Sequence, residues 1–236
     1  KNEFIFFHIP KAGGQHINHY FVKKYKKKKE GMQNIVYWHT DPNTEYDLAH
    51  VYQDIACRYI PQYMIDNYYS FTIVRNPYNR CYSAYADIFI GKGKEKGKQS
   101  YGVWVSKYKK PKDFNEFCNM LDKVVNDEPK WYNIHQTPQY KFVYHKTKKI
   151  VKYVGKFETM DKDFLKIFKD CNMKLSDIWF NNRKTLDVNL NKARESYLHH
   201  FSKENIDIIN RIYLKDFILF NYPMEYPIEL SFSDKQ

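Results

Sequence analysis

Residues 4 to 17 read Phe4-Ile5-Phe6-Phe7-His8-Ile9-Pro10-Lys11-Ala12-Gly13-Gly14-Gln15-His16-Ile17. The first four are apolar and mostly aromatic, the pattern of a strand buried on both faces of a parallel sheet. His8 to Gly14 then read as a turn. Beyond it Ile17, Tyr20, Phe21 and Lys24 recur at helical spacing to about residue 25. Strand, glycine-containing turn and helix form the setting in which a phosphate loop works. Glycines let the backbone approach an anion, and the first N–H groups of the helix point at it. The turn lacks the Gly-Lys-Ser/Thr ending of an ATPase loop, so no hydroxyl is placed there to hold magnesium.

A second unit of the same kind lies downstream. Residues 69–74 form an apolar strand that ends at Arg75, and Asn76-Pro77 opens a helix running to about residue 89. Asparagine is a good N-cap and proline suits the first helical position. Two such units on adjacent parallel strands converge at the carboxyl edge of the sheet, where open α/β folds bind ligands. Residues 48–52 read as a short strand or turn carrying His50. Residues 55–65 read as helix interrupted by Pro61, residues 91–100 (GKGKEKGKQS) as a flexible basic loop, and residues 112–125 as helix. A third strand is expected over residues 151–155, followed by a helix capped by Thr159 or Asp161. Ser202 caps a last helix that carries Ile206, Ile209, Ile212, Tyr213 and Phe217. The alternation, with no internal repeat, predicts one α/β domain over residues 1–236. It is a P-loop-like three-layer fold with a central parallel β-sheet flanked by helices.

Composition narrows the chemistry less than the motifs do. The chain has 236 residues, 43% hydrophobic, with 17 Phe and 22 Tyr, which excludes a disordered polyelectrolyte. Eight Gly and nine Pro exclude collagen-like or linker-like material. Apolar runs such as residues 217–220 are too short to span a bilayer, so a soluble chain is expected. A formal charge of +12 favours acidic partners without choosing among them. Cys57, Cys81, Cys118 and Cys171 form no CxxC pair, so free core thiols are expected rather than a disulfide scaffold or zinc site. The absence of an Asn-x-Ser/Thr sequon leans toward the cytoplasm. The Golgi lumen is the alternative for a chain whose anchor has been removed.

Residues 8–14 (HIPKAGG) and 73–85 (IVRNPYNRCYSAY) together resemble the PAPS-dependent carbohydrate sulfotransferases, sulfotransferase family 2. The likeness is to the chondroitin, dermatan and HNK-1 branch and, more distantly, to heparan sulfate 2-O-sulfotransferase. Three further matches follow in order: Gln136-Thr137-Pro138-Gln139, residues 153–160 (YVGKFETM) and residues 213–222 (YLKDFILFNY). The resemblance spans nearly the whole chain. It implies a donor, PAPS, with a 5′-phosphosulfate and a 3′-phosphate, and hence two anion sites. Lys11, Ala12, Gly13, Gly14, Gln15 and His16 would form the first, with Lys11 also catalytic, neutralising charge as the P–O–S bridge breaks. Arg75 and Ser83 would hold the 3′-phosphate. Arg183, in Asn182-Arg183-Lys184-Thr185, resembles a segment that closes over the nucleotide. Gln15-His16 departs from the Thr/Ser-Ser pair usual after the glycines and removes a phosphate-facing hydroxyl.

Sulfuryl transfer to a sugar hydroxyl calls for a base, and histidine titrates near neutrality. Of nine histidines, His50 lies 25 residues before Arg75, an order and interval that resemble the family's base. His135 is the reserve, and His8 belongs to the loop motif as a structural position. Asp47 or Glu45 would orient His50. Glu158 would pair with a basic residue to stabilise the fold, and Arg80 would pair with an acid or face the acceptor. The acceptor implied is a carbohydrate, an anionic polysaccharide suiting the charge. Neither a metal nor a nucleic acid is expected. The rivals are a non-catalytic basic protein that binds PAP or a polyanion, and a small-molecule or nucleotide kinase. The kinase reading would need the phosphate-loop hydroxyl and magnesium carboxylates that the sequence lacks.

Overall fold

Why the carboxyl edge becomes crowded follows from the strand pairing. The computed structural model describes residues 3–17, 20, 43–44, 46, 48–90, 98–173 and 198–226. Within them lie strands β1 (Phe4–Phe6) and β2 (Tyr69–Val74), a small antiparallel hairpin of β3 (Tyr144–His145) and β4 (Lys148–Lys149), and β5 (Tyr153–Lys156). β1, β2 and β5 form a parallel sheet in that order, with Phe6 opposite Phe71 and Val74 opposite Lys156. All three therefore end on one edge, which delivers the turn after β1, Arg75 after β2 and Phe157 after β5 to the same place.

The helices are α1 (Gln53–Tyr59), α2 (Gln62–Asn67), α3 (Pro77–Tyr85), α4 (Lys98–Tyr108), α5 (Phe114–Asn126), α6 (Met160–Asp170), α7 (Lys203–Ile212) and α8 (Leu214–Leu219). Residues 14–17 and 20 are helical as well. The central strand explains the layering. Phe71 and Ile73 pack with Ile17, Tyr20, Phe164 and Ile167, while Val74 joins a larger core with Tyr78, Phe117, Leu121, Ile209 and Phe217. Alternate residues of β2 thus bury opposite faces, and its polar members are satisfied internally. Thr72 Oγ1 donates to the Phe7 carbonyl at 2.6 Å and Ser70 Oγ to the Ile150 carbonyl at 3.3 Å. This is an α/β fold with a small parallel sheet flanked by helices.

Most expected elements appear within a residue or two. Asn76 caps α3, its side chain accepting from the Tyr78 and Asn79 amides, and Pro77 takes the first helical position. Ser202 caps α7 by accepting from the Asn205 amide. Pro61 separates α1 from α2, as its missing N–H requires. Residues 48–50 form a 3₁₀ turn rather than a strand. β1 differs from expectation: it is half-buried throughout, and among the described residues β2 is the strand it pairs with. Residues 98–100, assigned to the basic loop, already belong to α4, which the fully buried Trp104 anchors. All four cysteines are free thiols. Among the described residues no helix is long and apolar enough to cross a membrane.

The α3 cap provides a direct check on this framework. Asn76→Ala leaves two amides without their acceptor and is expected to cost about 1 kcal/mol. The measurement is the urea midpoint, and an unchanged midpoint contradicts the assignment.

Candidate active site

The turn after β1 is shaped by two left-handed residues, Lys11 at φ 64° and Gly13 at φ 82°. A lysine in that region carries backbone strain of about 1–3 kcal/mol, the kind of outlier that concentrates at functional sites. Two amides close the turn itself: Ala12 N–H reaches the Ile9 carbonyl at 3.4 Å and His16 N–H the Gly13 carbonyl at 3.0 Å. A Cβ on Gly14 would overlap the His8 ring, so the glycine there is a packing requirement. At Gly13 a Cβ would meet Phe157 Cδ2 at 2.7 Å, placing the start of the 3₁₀ turn after β5 directly on the loop.

Two arginines from the second unit fasten the loop. Arg80, only 2% exposed, donates from Nε to the Pro10 carbonyl at 3.0 Å and from Nη2 to the Thr137 carbonyl at 2.9 Å. It therefore serves two backbone oxygens. Arg75, 3% exposed, donates from Nη1 to the Lys11 carbonyl at 3.2 Å and lies 4.7 Å from the centre of the Phe157 ring. Its backbone is held in register by the Gln139 amide, which both accepts from Arg75 N–H and donates to its carbonyl at 2.8 Å. Asp216 fixes that glutamine in turn, accepting the Gln139 and Tyr140 amides at 2.8 Å each. Glu158 accepts Asn76 N–H at 2.8 Å and the Tyr222 hydroxyl at 2.7 Å. It is a fold-stabilising acid as expected, but the groups it bonds are an amide and a phenol where a basic residue was anticipated.

Ser83 sits half-buried on α3, three residues after Arg80 and four before Asp87. That spacing puts the three on one helical stripe, and the other two touch the loop: Asp87 Oδ2 lies 3.2 Å from Lys11 Nζ. Gln15 is exposed and His16 half-buried. Arg183, Asp47 and Glu45 lie outside the described residues.

The histidines converge too. His50 lies 4.4 Å from His8 and 5.6 Å from His135, ring centre to ring centre, the latter pair edge-on at 89°. His8 is packed on Gly14, so this cluster borders the loop. Burial is the main reason that the His8 and His135 pKa values fall well below the usual histidine range, and the neighbouring His50 and Lys11 push the same way. Both rings are therefore neutral near pH 7. Among the described residues no group of three or more His, Cys, Asp or Glu is arranged to hold a metal ion. The chemistry available at this edge is anion binding by cations and backbone, beside imidazole that can take a proton.

Sequence reasoning overlooked Asp87, Phe157 and the assignment of Asp216 to Gln139. Asp87 was within reach, since Arg80, Ser83 and Asp87 share one helical face. The other two depend on strand register and on contacts 77 residues apart in the chain.

Asp216 gives a pH signature. Burial raises its carboxyl to about 6 from an ordinary 3.8, although two amides and Arg80 pull it down. Between those values the folded chain binds the proton more tightly than the unfolded one. The stabilisation is therefore present below about 4 and lost as pH rises through about 6. Urea unfolding of wild type and Asp216→Asn between pH 4 and pH 7 should show the wild-type advantage shrinking as pH rises. An advantage that grows with pH contradicts the assignment.

No curated protein and no solved structure matches the chain. Residues 1–223, however, match the family model described as Sulfotransferase family, and they include the loop, both arginines, the histidine cluster and Asp216. The chain belongs to the sulfotransferase family.

Proposed function

We propose that the chain transfers the sulfuryl group of PAPS, in line, to a hydroxyl of a carbohydrate acceptor, giving PAP and a sulfate ester. The observation that carries this reading is the meeting of three cations and an imidazole at one sheet edge. Lys11, Arg75 and Arg80 are gathered at the turn after β1, and His50 adjoins it through His8. Membership of the sulfotransferase family supports the reaction class.

The donor would supply a sulfuryl group on a phosphate leaving group. The chain's own residues would do the rest. The backbone from Lys11 to His16, and chiefly the Gly13, Gly14 and Gln15 amides, would hold the 5′-phosphosulfate, because the Ala12 and His16 amides already close the turn. Lys11 would lie against the bridging oxygen, where negative charge grows as the S–O bond breaks. Arg75 and Ser83 would take the 3′-phosphate, with Arg183 as a further contact. The Arg75 guanidinium meets the loop through Nη1, and its planar fork matches the oxygens of a phosphate. His50 would accept the acceptor's hydroxyl proton as the new S–O bond forms. The electron pair of the broken bond leaves with PAP, so atoms and charge balance. The +12 charge suits an anionic polysaccharide as the acceptor.

The test is transfer of radiolabelled sulfate from PAPS to a panel of carbohydrates by wild type and His50→Ala. The variant should lose about 100-fold or more in turnover, the worth of a general base, with PAP affinity unchanged. Wild-type rates in His50→Ala would remove His50 from the mechanism. Absence of transfer by wild type to every acceptor, with PAP bound, would favour a non-catalytic PAP-binding role.

A further inference from the structure

Lys11, the residue placed at the breaking bond, is already engaged. Its ammonium faces Asp87 at 3.2 Å, the two side chains being 20% and 45% exposed. Asp87 is the second residue of a π-helical turn, Ala86–Ile90, that directly continues α3. Such turns occur frequently at functional sites. Here the turn continues the stripe on which Arg80 meets the loop. Burial pulls the Lys11 amine below the usual lysine range, and so do Arg75 and Arg80, while Asp87 opposes that pull. The carboxylate is thus the anion that offsets a local excess of positive charge.

We propose that Asp87 is a placeholder for the donor, holding the Lys11 ammonium until a 5′-phosphate group takes it over. The inference rests on the donor reading above and adds a residue that sets donor affinity through Lys11. A phosphate or phosphosulfate beside Lys11 brings negative charge next to the carboxylate, and two anions sharing one ammonium repel. The more exposed partner, Asp87, is the one that yields to solvent, whereas Lys11 is fixed by a left-handed backbone and by the bond from Arg75 to its carbonyl. Asp87 is therefore a positioning residue, and its removal should improve anion binding. A purely structural role would weaken it.

The experiment is calorimetric titration of the full chain with PAP. Asp87→Asn, and Asp87→Ser as a second variant, should tighten binding by about two- to fivefold, the range set by a partly exposed ion pair. Asp122→Asn, which removes the same charge from the Arg211 pair between α5 and α7, should leave the affinity unchanged. In a Lys11→Met background the Asp87→Asn gain should vanish. Unchanged or weaker binding in both Asp87 variants overturns the proposal. So does a gain that survives Lys11→Met, which would mean simple repulsion without the lysine. A wild-type chain that binds no PAP overturns the donor reading itself, and this inference with it.

Discussion

A guanidinium buried as deeply as Arg80 must find oxygen atoms, because an unmatched buried charge is among the costliest features a fold can carry. Arg80 finds the carbonyls of Pro10 and Thr137, one in the loop after β1 and one in the segment before the Gln139 turn. Asp216, whose charge bears on it from α8, supplies the nearby negative charge. This one side chain ties three remote segments together, and the position of Lys11 depends on it. If Arg80 were shortened to a residue that cannot donate twice, both carbonyls would lose their partner in a buried site.

The same logic connects the five short motifs along the chain. The loop is bonded by the arginines of the second motif. The second motif is bonded by Gln139 of the third and by Glu158 of the fourth. The fifth supplies Tyr213 to the Gln136 carbonyl, Asp216 to the Gln139 amide and Tyr222 to Glu158. Each motif is modest alone because each holds only part of a shared network.

Much of this was legible in residues alone. β2 could be read because an apolar run ends at Arg75-Asn76-Pro77, where an N-cap and a first-turn proline coincide. The carboxyl-edge convergence followed from two strand–turn–helix units. α4 was hidden because its first turn lies in the lysine- and glycine-rich run that resembles a loop, although Trp104 and Tyr108 bury its other side. The hairpin β3–β4 is too short for any period to register. The π turn after α3 has no sequence signature; spacing alone puts Asp87 on the face of Arg80, and the 3.2 Å contact with Lys11 needs the fold. His8 reads as a structural residue from sequence. Its contact with His50 makes it a neighbour of the proposed base as well.

The account stands or falls on two separate anion sites at the loop edge. Calorimetric titration with PAP, set against ADP, which lacks the 3′-phosphate, measures that most directly. The account predicts micromolar binding of PAP and binding of ADP weaker by about tenfold or more, the worth of one charge-assisted guanidinium–phosphate contact. Equal affinity for the two nucleotides would mean that Arg75 and Ser83 do not read the 3′-phosphate. Binding of neither would contradict the donor site altogether.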